Sequence, residues 1–317
     1  MKKILITGGA GYIGCILARE LIKKNYKVSV YDNFLFKQYN VFNDLVFNSN
    51  FLLIKEDVRN FSILSKEIKK YDIIIPLAAI VGAPACDKIP KVAQAVNFTQ
   101  IKNILNVISK KQIIILPVTN SGYGIGEENI FCDEQSSLKP ISHYGKTKVA
   151  AEKILIEHDN FISFRLATVF GLSNRMRTDL LVNDFVYKAC KLKKLILFEQ
   201  NYKRNFIHIR DVVDAIIYGI ENFKVFKNNI YNLGLDSANL SKLELSKKIK
   251  KHVNNLKIFI TQNRTDPDKR NYIVSNKKIL STGWKPKVDL DMGIKELLDY
   301  YQNFDLKNAN NLFIFKK

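Results

Sequence analysis

Short apolar runs alternate along the chain with longer segments in which apolar residues recur at helical spacing. Runs that predict buried strands lie at residues 4–6, 28–31, 51–54, 72–75 and 113–116, and helical spacing appears at residues 13–22, 61–70 and 90–109. Strands separated by helices of this length favour right-handed crossover connections and a parallel sheet. We therefore predict an α/β fold with a Rossmann-type, doubly wound parallel sheet covered by helices on both faces.

The pattern changes near residue 167, where short strands and helices become mixed. We predict a first domain over residues 1–166 and a smaller C-terminal α/β domain for substrate binding over residues 167–317. Within the second part, residues 204–222 again show a strand-like run followed by an apolar-periodic helix. We expect this piece to return to the first domain.

Composition narrows the class of protein. The chain has 317 residues, of which 47% are hydrophobic, so it can form a large core. No apolar run reaches the roughly 18 residues needed to cross a bilayer, and no signal-peptide pattern precedes the first strand, so we expect a cytoplasmic protein without a membrane partner. The cysteines are isolated from one another and from histidine clusters, which argues against disulfides and a metal site; they are Cys15, Cys86, Cys132 and Cys190.

The formal net charge of +20 raises the question of nucleic-acid binding. Lysine dominates the basic residues and is spread along the whole chain beside abundant Asn, Ile, Phe and Tyr, a set that AT-rich coding enriches. No basic block accompanies a nucleic-acid recognition motif. We interpret the charge as solvated surface and expect no nucleic-acid partner; a positive field that attracts an anionic substrate is the alternative.

The segment TGGAGYIG follows the first predicted strand and places glycines at positions 8, 11 and 14. Gly8 would allow a sharp turn, Gly11 would leave room for a pyrophosphate, and Gly14 would let the next helix pack closely on the sheet. Such glycine turns also occur with nothing bound. Asp32 favours binding, because an acidic side chain at the end of the second strand accepts hydrogen bonds from ribose hydroxyls and repels a 2′-phosphate. The expected cofactor is NAD rather than NADP.

Other loops that follow predicted strands belong to the same edge of the sheet, where parallel sheets bind their ligands. These loops contain Asn33, Asp57, Val58, residues 77–81 and residues 119–124. Asp57 is equally well explained as a cap for the helix that follows it. Asn97, in the third predicted helix, is either a buried amide or an ordinary polar helix residue.

Tyr144 and Lys148 lie four residues apart in HYGKTKVAAEKIL, which has helical periodicity, so both side chains leave one face of the helix. A free tyrosine has a pKa of about 10, and a neighbouring ammonium group favours the phenolate. The phenolate could take a proton from a sugar or alcohol hydroxyl while hydride passes to a nicotinamide. Thr119 offers a hydroxyl that could share this proton. A surface Tyr–Lys pair and an ordinary turn threonine are the alternatives.

Several motifs together resemble, in order and spacing, the extended short-chain dehydrogenase/reductases that act on nucleotide sugars. They are TGGAGYIG, Asp32, LAAIVG at 77–82, TNSGYG at 119–124, YGKTK at 144–148, RLATVFG at 165–171 and RNFIHIRDV at 204–212. The C-terminal stretch at 272–297 is also similar to that family. The resemblance therefore covers both predicted domains.

The resemblance implies roles for the residues in these motifs. Catalysis falls to Thr119, Tyr144 and Lys148. The residues implied to hold NAD are Gly8, Gly11, Tyr12, Ile13, Gly14, Asp32, Asn33, Asp57, Val58, Leu77, Ala78, Ala79, Asn97, Tyr144 and Lys148. Those implied to bind the nucleotide sugar are Val81, Asn120, Ser121, Thr168, Arg175, Arg177, Asn183, Phe198, Arg270 and, at the pyrophosphate, Arg204.

A homodimer is implied as well, with the helices near residues 95–109 and 143–157 meeting their copies. The apolar side of the second helix consists of Ala150, Ala151, Ile154 and Leu155. These residues would equally suit packing against the sheet.

Departures from the family pattern narrow the reaction. Asn120 and Ser121 stand where the 4,6-dehydratases carry Asp and Glu, and an amide cannot transfer the proton that elimination requires. Pro76 replaces a common histidine, and Thr168 stands where many epimerases have asparagine. Dehydration is therefore not expected.

Segments that lie partly outside the cofactor site resemble the members of the family that oxidise carbon 4 of a GDP-linked heptose for capsule biosynthesis. These segments are IIIPLAAIVGAP, TNSGYGIGE, RLATVFG, RMRTDLLVNDF at 175–185 and DPDKRNYIVSN at 266–276. The resemblance implies a GDP-linked sugar whose diphosphate Arg175 and Arg177 could bind, unless they are surface arginines. A 4-epimerase would use the same catalytic residues, and a non-catalytic Rossmann protein that senses NAD is the more remote alternative.

Overall fold

A computed structural model describes residues 1–262 and 270–304. Its largest sheet consists of β1 Lys3–Thr7, β2 Lys27–Asp32, β3 Phe51–Lys55, β4 Ile73–Pro76, β5 Ile113–Thr119, β7 Phe161–Leu166 and β11 Asn229–Leu233. The strands lie in the order β11–β7–β5–β4–β1–β2–β3, and all neighbouring pairs are parallel. The predicted Rossmann-type α/β fold is confirmed.

Smaller sheets occupy the rest of the described chain. One contains β8 Thr168–Phe170, β10 Lys203–His208 and β12 Asn239–Ser241. Two-stranded pairs join β9 Lys194–Leu197 to β13 Lys257–Ile260 and β6 Phe131–Cys132 to β14 Ile273–Val274.

Twelve α-helices are present in the described residues, and none of them is both long and apolar enough to cross a membrane. They are α1 Gly14–Lys23, α2 Phe61–Ile68, α3 Ala83–Lys88, α4 Pro90–Gln94, α5 Gln100–Val107, α6 His143–Leu155, α7 Leu181–Leu192, α8 Ile209–Glu221, α9 Phe223–Phe226, α10 Lys242–Lys250, α11 Lys277–Leu280 and α12 Leu290–Asn303. Short 3₁₀ turns lie at Tyr39–Phe42, Asn120–Tyr123 and Asp236–Ala238, and a π-helical turn lies at Ala95–Thr99.

Side chains of the large sheet alternate between its two faces, as strand geometry requires. In β1, Ile4 and Ile6 pack with α1 and α8, whereas Leu5 packs with α2, α5 and α6 on the opposite face. All three are fully buried. Parallel strands covered on both faces read as uninterrupted apolar runs, which explains the runs of β1, β2, β4 and β5. The run at 51–54 is also a strand, but its predicted burial is wrong, because β3 lies at the edge of the sheet and its Leu52 and Leu53 are exposed.

The apolar runs do not predict β7 and β11, which complete the large sheet. β11 pairs with β7 after the chain has passed through the smaller sheet, and α8 packs in the same core as α1. In the segment expected to return at 204–222, β10 pairs with β8 and β12. The return stays a prediction. The domain boundary at residue 166 stays a prediction.

The helix predicted over residues 90–109 is divided. The π-helical turn separates α4 from α5, and α5 ends at Val107. π turns are rare and often lie at functional sites. This one contains Asn97, whose side chain is buried against the sheet edge described below.

α6 uses part of its predicted dimer face to pack on the sheet. Ala151 and Leu155 are fully buried in the core, whereas Ala150 and Ile154 are half-buried. The homodimer stays a prediction.

A second hydrophobic core lies between α7, α10, α12 and the three-stranded sheet. It includes Phe206, Leu245 and Ile294, and it also includes Tyr12 from the glycine-rich loop. The two parts of the chain therefore meet at that loop.

A buried ion pair fastens α6 to β7. Arg165 donates from Nε and Nη2 to Oε2 of Glu152 at 2.9 and 2.8 Å, and Ser163 Oγ donates to Oε1 at 2.8 Å. The Arg165 and Glu152 side chains are only 5% and 4% exposed. The pair thus holds in place the helix that carries Tyr144 and Lys148.

Removing one charge of this pair should destabilise the fold. Glu152→Gln would leave the Arg165 guanidinium buried without a counter-charge, so we expect the free energy of unfolding to fall by about 3–5 kcal/mol. Glu157→Gln, at an exposed position just beyond α6, is the control and should change it by less than about 0.5 kcal/mol. Urea unfolding measures both, and equal stability of the two variants would contradict this account.

Candidate active site

The glycine-rich loop after β1 packs directly on the loop after β4. Gly8 has a φ of +67°, and a Cβ there would lie 2.5 Å from the Cα and N atoms of Ala78. Only glycine permits both this conformation and this contact. Gly14 is also enclosed, since a Cβ there would lie 2.6 Å from Gly9 Cα. Because Gly14 has no side chain, α1 can begin directly against the loop.

Gly11 faces more open space. A Cβ at this position would meet Gly8 O at 3.0 Å and no other heavy atom of the described residues within 4 Å, apart from the chain neighbours. The residue lies just before the N-terminus of α1, where Ile13 is the N-cap. Backbone N–H groups at a helix N-terminus attract anions. Bare backbone at this place fits the pyrophosphate of a dinucleotide.

Asp32 ends β2 beside this loop and is 7% exposed. Its Oδ2 accepts a hydrogen bond from Ala10 N at 3.0 Å, and its Oδ1 accepts one from Phe34 N at 2.8 Å. Burial raises the pKa of this carboxyl, and the two backbone donors act in the opposite direction. Each oxygen retains a second lone pair with which it could accept a ribose hydroxyl.

Asp57 is not a helix cap. The N-cap of α2 is Asn60, and the Asp57 carboxylate instead binds the Arg59 guanidinium at 2.7 Å and accepts a hydrogen bond from Asn33 Nδ2 at 2.9 Å. The hydrogen bond from Arg59 is the main reason that the pKa of Asp57 falls to about 2. The neighbouring Val58 is buried in the core beneath the loop.

Of the two alternatives for Asn97, the structure shows the buried amide. It is 1% exposed; its Oδ1 accepts from Ile80 N at 2.8 Å, and its Nδ2 donates to Ile80 O at 3.0 Å and to Thr147 Oγ1 at 3.2 Å. The side chain therefore ties the loop after β4 to α6. In that loop, Leu77, Ala78 and Ala79 are half-buried at the sheet edge.

Thr119, Tyr144 and Lys148 meet at the carboxyl edge of the sheet. Thr119 ends β5, and Tyr144 and Lys148 lie one turn apart at the start of α6, where Ser142 Oγ caps the helix by accepting from Gly145 N at 3.2 Å. The Thr119 side chain lies near enough to Tyr144 to lower its pKa. Lys148 is 5% exposed.

Burial shifts the pKa values of this tyrosine and this lysine in opposite directions. It raises the pKa of Tyr144 to about 12, although Arg270, Arg177 and the Thr119 side chain act to lower it. It lowers the pKa of Lys148 to about 8, against the opposing effect of Glu152. In the polypeptide itself the loss of water outweighs the guanidinium groups near the phenol. The expected lowering of the tyrosine pKa depends also on the positive nicotinamide ring and stays a prediction.

Asn120 and Ser121 follow Thr119 and are buried. Ser121 Oγ lies 2.8 Å from Thr119 Oγ1 and accepts a hydrogen bond from Arg270 Nη1. Neither polar atom of the Asn120 amide has a hydrogen-bond partner in the described structure. A fully buried, unpaired amide is costly, which suits a position that a ligand completes.

The two arginines of the loop after β8 are both 8% exposed, so the surface alternative is wrong. Arg177 binds Asp179 at 2.6 Å and is close enough to Tyr144 for their charges to interact. Arg175 lies near both Arg177 and Asp32, with its Cζ 4.4 Å from the centre of the Phe36 ring. The structure thus places Arg175 beside the predicted cofactor site as well, and its role as a sugar ligand stays a prediction.

The contacts of Asn183 differ from those expected of a sugar ligand. It is completely buried, and its Oδ1 accepts from Gly171 N at 3.0 Å while its Nδ2 donates to Arg177 O at 2.8 Å. Nδ2 also donates to the Tyr12 hydroxyl, which itself donates to Gly171 O at 2.6 Å. Because these groups are bonded to one another, Asn183 and the Tyr12 side chain position the loop after β8.

The remaining predicted sugar ligands come from both parts of the chain. Val81 and Thr168 are half-buried, and so is Phe198, whose ring centre lies 4.3 Å from Lys242 Nζ. Arg204 is 3% exposed at the start of β10. Of the segment DPDKRNYIVSN, residues 266–269 lie outside the described residues.

Two residues that support the site are absent from the sequence-based set. Gln100 Nε2 donates to Ala78 O at 2.7 Å, and Ser173 Oγ donates to Tyr12 O at 2.7 Å. Gln100 follows Asn97 by three residues, so polar residues at helical spacing could have indicated it. Ser173 has no such signal, because its partner is distant in the sequence.

Adding a methyl group at Gly11 should impair cofactor binding and largely preserve the fold. In Gly11→Ala the new Cβ is tight against Gly8 O alone, but it occupies the space that a pyrophosphate approaches, so we expect the Kd for NAD to rise at least about tenfold. Gly8→Ala should instead destabilise the protein itself. Calorimetric titration with NAD and urea unfolding separate the two effects; unchanged NAD affinity in Gly11→Ala would refute the assignment.

Comparisons with known proteins agree with this architecture. The sequence profile of the NAD dependent epimerase/dehydratase family matches residues 4–234. A putative UDP-glucose 4-epimerase of Methanocaldococcus jannaschii is 27% identical, over 95% of this chain and 98% of that protein. CDP-paratose 2-epimerase of Salmonella typhi is 27% identical, over 94% of this chain and 98% of that protein.

The fold is also similar to that of solved structures. UDP-glucuronic acid 4-epimerase from Bacillus cereus, in complex with UDP-glucuronic acid and NAD, has a TM-score of 0.82 to this chain. It is 25% identical, and the match covers 95% of this chain and 99% of that chain. The similarity thus includes both parts of the molecule.

Proposed function

Because the chain belongs to the NAD-dependent epimerase/dehydratase family, we propose that it is a nucleotide-sugar 4-dehydrogenase that uses NAD. The proposed substrate is GDP-D-glycero-α-D-manno-heptose, which would be oxidised at its 4-hydroxyl to the 4-keto sugar for capsule or surface polysaccharide. Support for a GDP-linked heptose comes from the resemblance of segments outside the cofactor site, among them residues 175–185. We also propose that the enzyme is a homodimer.

NAD, when bound, supplies the acceptor for the hydride that leaves carbon 4. Gly11 and the N-terminus of α1 would hold its pyrophosphate, and Asp32 would accept hydrogen bonds from its ribose. Arg175 supports the same end of the site, because its buried guanidinium borders a cavity of about 690 Å³ together with Arg19 and Lys37. A buried cation at this place would stabilise a cofactor phosphate.

The observation that carries the proposal is the contact between Thr119 and Tyr144, with Lys148 buried one turn further along α6. In the proposed reaction the Tyr144 phenolate accepts the proton of the 4-hydroxyl. The Thr119 hydroxyl binds the same substrate oxygen and holds it beside the base. Lys148 places an ammonium group near the phenolate and favours its formation.

The residues after Thr119 argue against a dehydratase. Elimination of water requires a group that donates a proton to the leaving hydroxyl and a base that removes a proton from carbon 5. Asn120 is a neutral amide, and Ser121 is bonded to Arg270. A 4-keto sugar formed here would therefore keep its remaining hydroxyl groups.

The substrate diphosphate would be bound by the arginines of the second part of the chain. Arg177 and Arg270 are both close enough to Tyr144 to affect its pKa. Arg204 lies next to Lys203, whose N donates to the Asn271 side chain at 2.9 Å, so β10 borders the segment that carries Arg270. Guanidinium groups form paired hydrogen bonds with phosphate oxygens.

A 4-epimerase is the second candidate. The UDP-glucose and UDP-glucuronic acid relatives are named as 4-epimerases, and the catalytic residues of this chain would serve either reaction. In an epimerase the 4-keto sugar stays bound and receives hydride on its other face. Recovery of the sugar with inverted carbon 4 and no net change in redox state would favour this function.

Removing the Tyr144 hydroxyl should abolish turnover while NAD still binds. We expect Tyr144→Phe to lower kcat by about 10²–10⁴-fold, because proton transfer loses its base. Tyr26→Phe, before β2 at the opposite edge of the sheet, is the matched control and should keep wild-type activity. A Tyr144→Phe enzyme as fast as the control would show that another group is the base.

A substrate panel tests the proposed specificity. GDP-heptose should reduce the bound cofactor, as measured by nicotinamide absorbance, whereas UDP- and dTDP-hexoses should do so more slowly. Efficient turnover of a UDP-sugar with no response to GDP-heptose would overturn the proposed substrate.

Arg175→Ala should weaken NAD retention during gel filtration, because the cofactor end of the site loses a cation.

A further inference from the structure

A chain of hydrogen bonds runs from a guanidinium group to the hydroxyl beside the catalytic phenol without passing through Lys148. Arg270 Nη1 donates to Ser121 Oγ, Ser121 Oγ lies 2.8 Å from Thr119 Oγ1, and the Thr119 side chain lies near enough to Tyr144 to act on its pKa. Ser121 N also donates to Thr119 Oγ1, at 3.1 Å. Ser121 is buried, and its contact with Arg270 is partly buried.

The direction of the bond between Ser121 and Thr119 is part of the inference, because either hydroxyl could be its donor. A guanidinium group has only donors, so Ser121 Oγ accepts from Arg270. The Ser121 proton can then be donated to Thr119 Oγ1, which also accepts from Ser121 N. In that direction both lone pairs of Thr119 Oγ1 are used, and its own proton can be donated towards Tyr144.

We propose that Arg270 is a positioning residue for the catalytic phenol: through Ser121 it orients the Thr119 hydroxyl so that this group donates to the phenol oxygen of Tyr144. The inference rests on the proposed role of Tyr144 as the base. A phenolate has only acceptors, so a fixed donor at Thr119 favours it over the neutral phenol. When a 4-hydroxyl lies between the two residues, the same orientation makes Thr119 a donor to the substrate oxygen.

Other charged or titratable groups also face Tyr144. Cys86 of α3 and Arg177 of the loop after β8 act on its pKa, and Lys148 lies one turn further along the same helix. Burial raises the pKa of the Cys86 thiol to about 12, so this group is neutral near pH 7. The positive charges are Lys148, Arg177 and Arg270, and Arg270 is the one connected through Ser121 to Thr119 beside the phenol.

This arrangement gives a second reason for serine at position 121. A carboxylate there would only accept hydrogen bonds, so it would take the Thr119 proton and turn that donor away from Tyr144. A serine accepts from Arg270 and donates to Thr119 at once. Serine at position 121 cannot support elimination, but it can accept from Arg270 and donate to Thr119.

The experiment measures the ionisation of Tyr144 in the NAD-loaded protein. The phenolate absorbance of each variant is titrated with pH and compared with that of the same variant carrying Tyr144→Phe, so that the difference reports Tyr144 alone. Arg270→Gln and Ser121→Ala should each raise the pKa of Tyr144 by about one unit, the lower end of the effect of a nearby opposite charge. The double variant should show no larger shift than either single variant, because both changes interrupt one chain.

Controls separate positioning from binding and folding. Arg270→Lys keeps a cation and should shift the titration less than Arg270→Gln. If Arg270→Gln fails to fold, as judged by circular dichroism, Ser121→Ala provides the same readout with a smaller change. An unchanged Tyr144 titration in folded Ser121→Ala would overturn the proposal, as would additive shifts in the double variant.

The outcome is distinguishable from failure of the proposed function. The titration needs no substrate, so a shift in both variants supports the hydrogen-bond chain whichever sugar is used. Turnover of GDP-heptose together with an unshifted titration would leave the proposed function intact and reject the role of Arg270 as a positioning residue. A rise in KM without any change in the pH profile would make Arg270 a substrate ligand only.

Discussion

The site depends on one close contact between backbones, that of Gly8 after β1 with Ala78 after β4. From β1 the sheet extends through β2 to one side and through β4 to the other, so the loops after β1 and β4 diverge from a common point. Doubly wound sheets bind their ligands in the crevice that such a divergence opens. Because Gly8 has no side chain, the two loops can pack together there, and Asn97 holds the second loop against α6. The cofactor cradle and the catalytic helix thereby share one frame.

The same compact frame opposes the ionisation that catalysis requires. Burial favours the neutral forms of both Tyr144 and Lys148, as their pKa shifts show. The structure counters this effect by placing guanidinium groups near the phenol, one of them connected through Ser121 to Thr119 beside it. Part of the large positive charge of the chain is therefore located inside the site. This location suits a diphosphate substrate and a phenolate base together, and it requires no nucleic-acid partner.

Local patterns predict the features that depend on neighbouring residues. The apolar runs identify β1 to β5, and helical spacing brings Tyr144 and Lys148 to one face of α6. Features that depend on distant contacts are not predictable in this way. The sequence does not show that β11 returns to pair with β7, that Arg175 lies near Asp32, or that Asn183 is bonded to backbone groups. In each case the partner lies far away in the sequence and is brought near only by packing.

The central claim is that Tyr144 and bound NAD together remove hydrogen from carbon 4 of a nucleotide sugar. GDP-heptose carrying deuterium at carbon 4 tests it most directly, with mass spectrometry of both the cofactor and the sugar after a single turnover. The account predicts that deuterium appears on the nicotinamide and is lost from a 4-keto sugar. Conversion of the sugar with its deuterium still at carbon 4, and none on the cofactor, would contradict it.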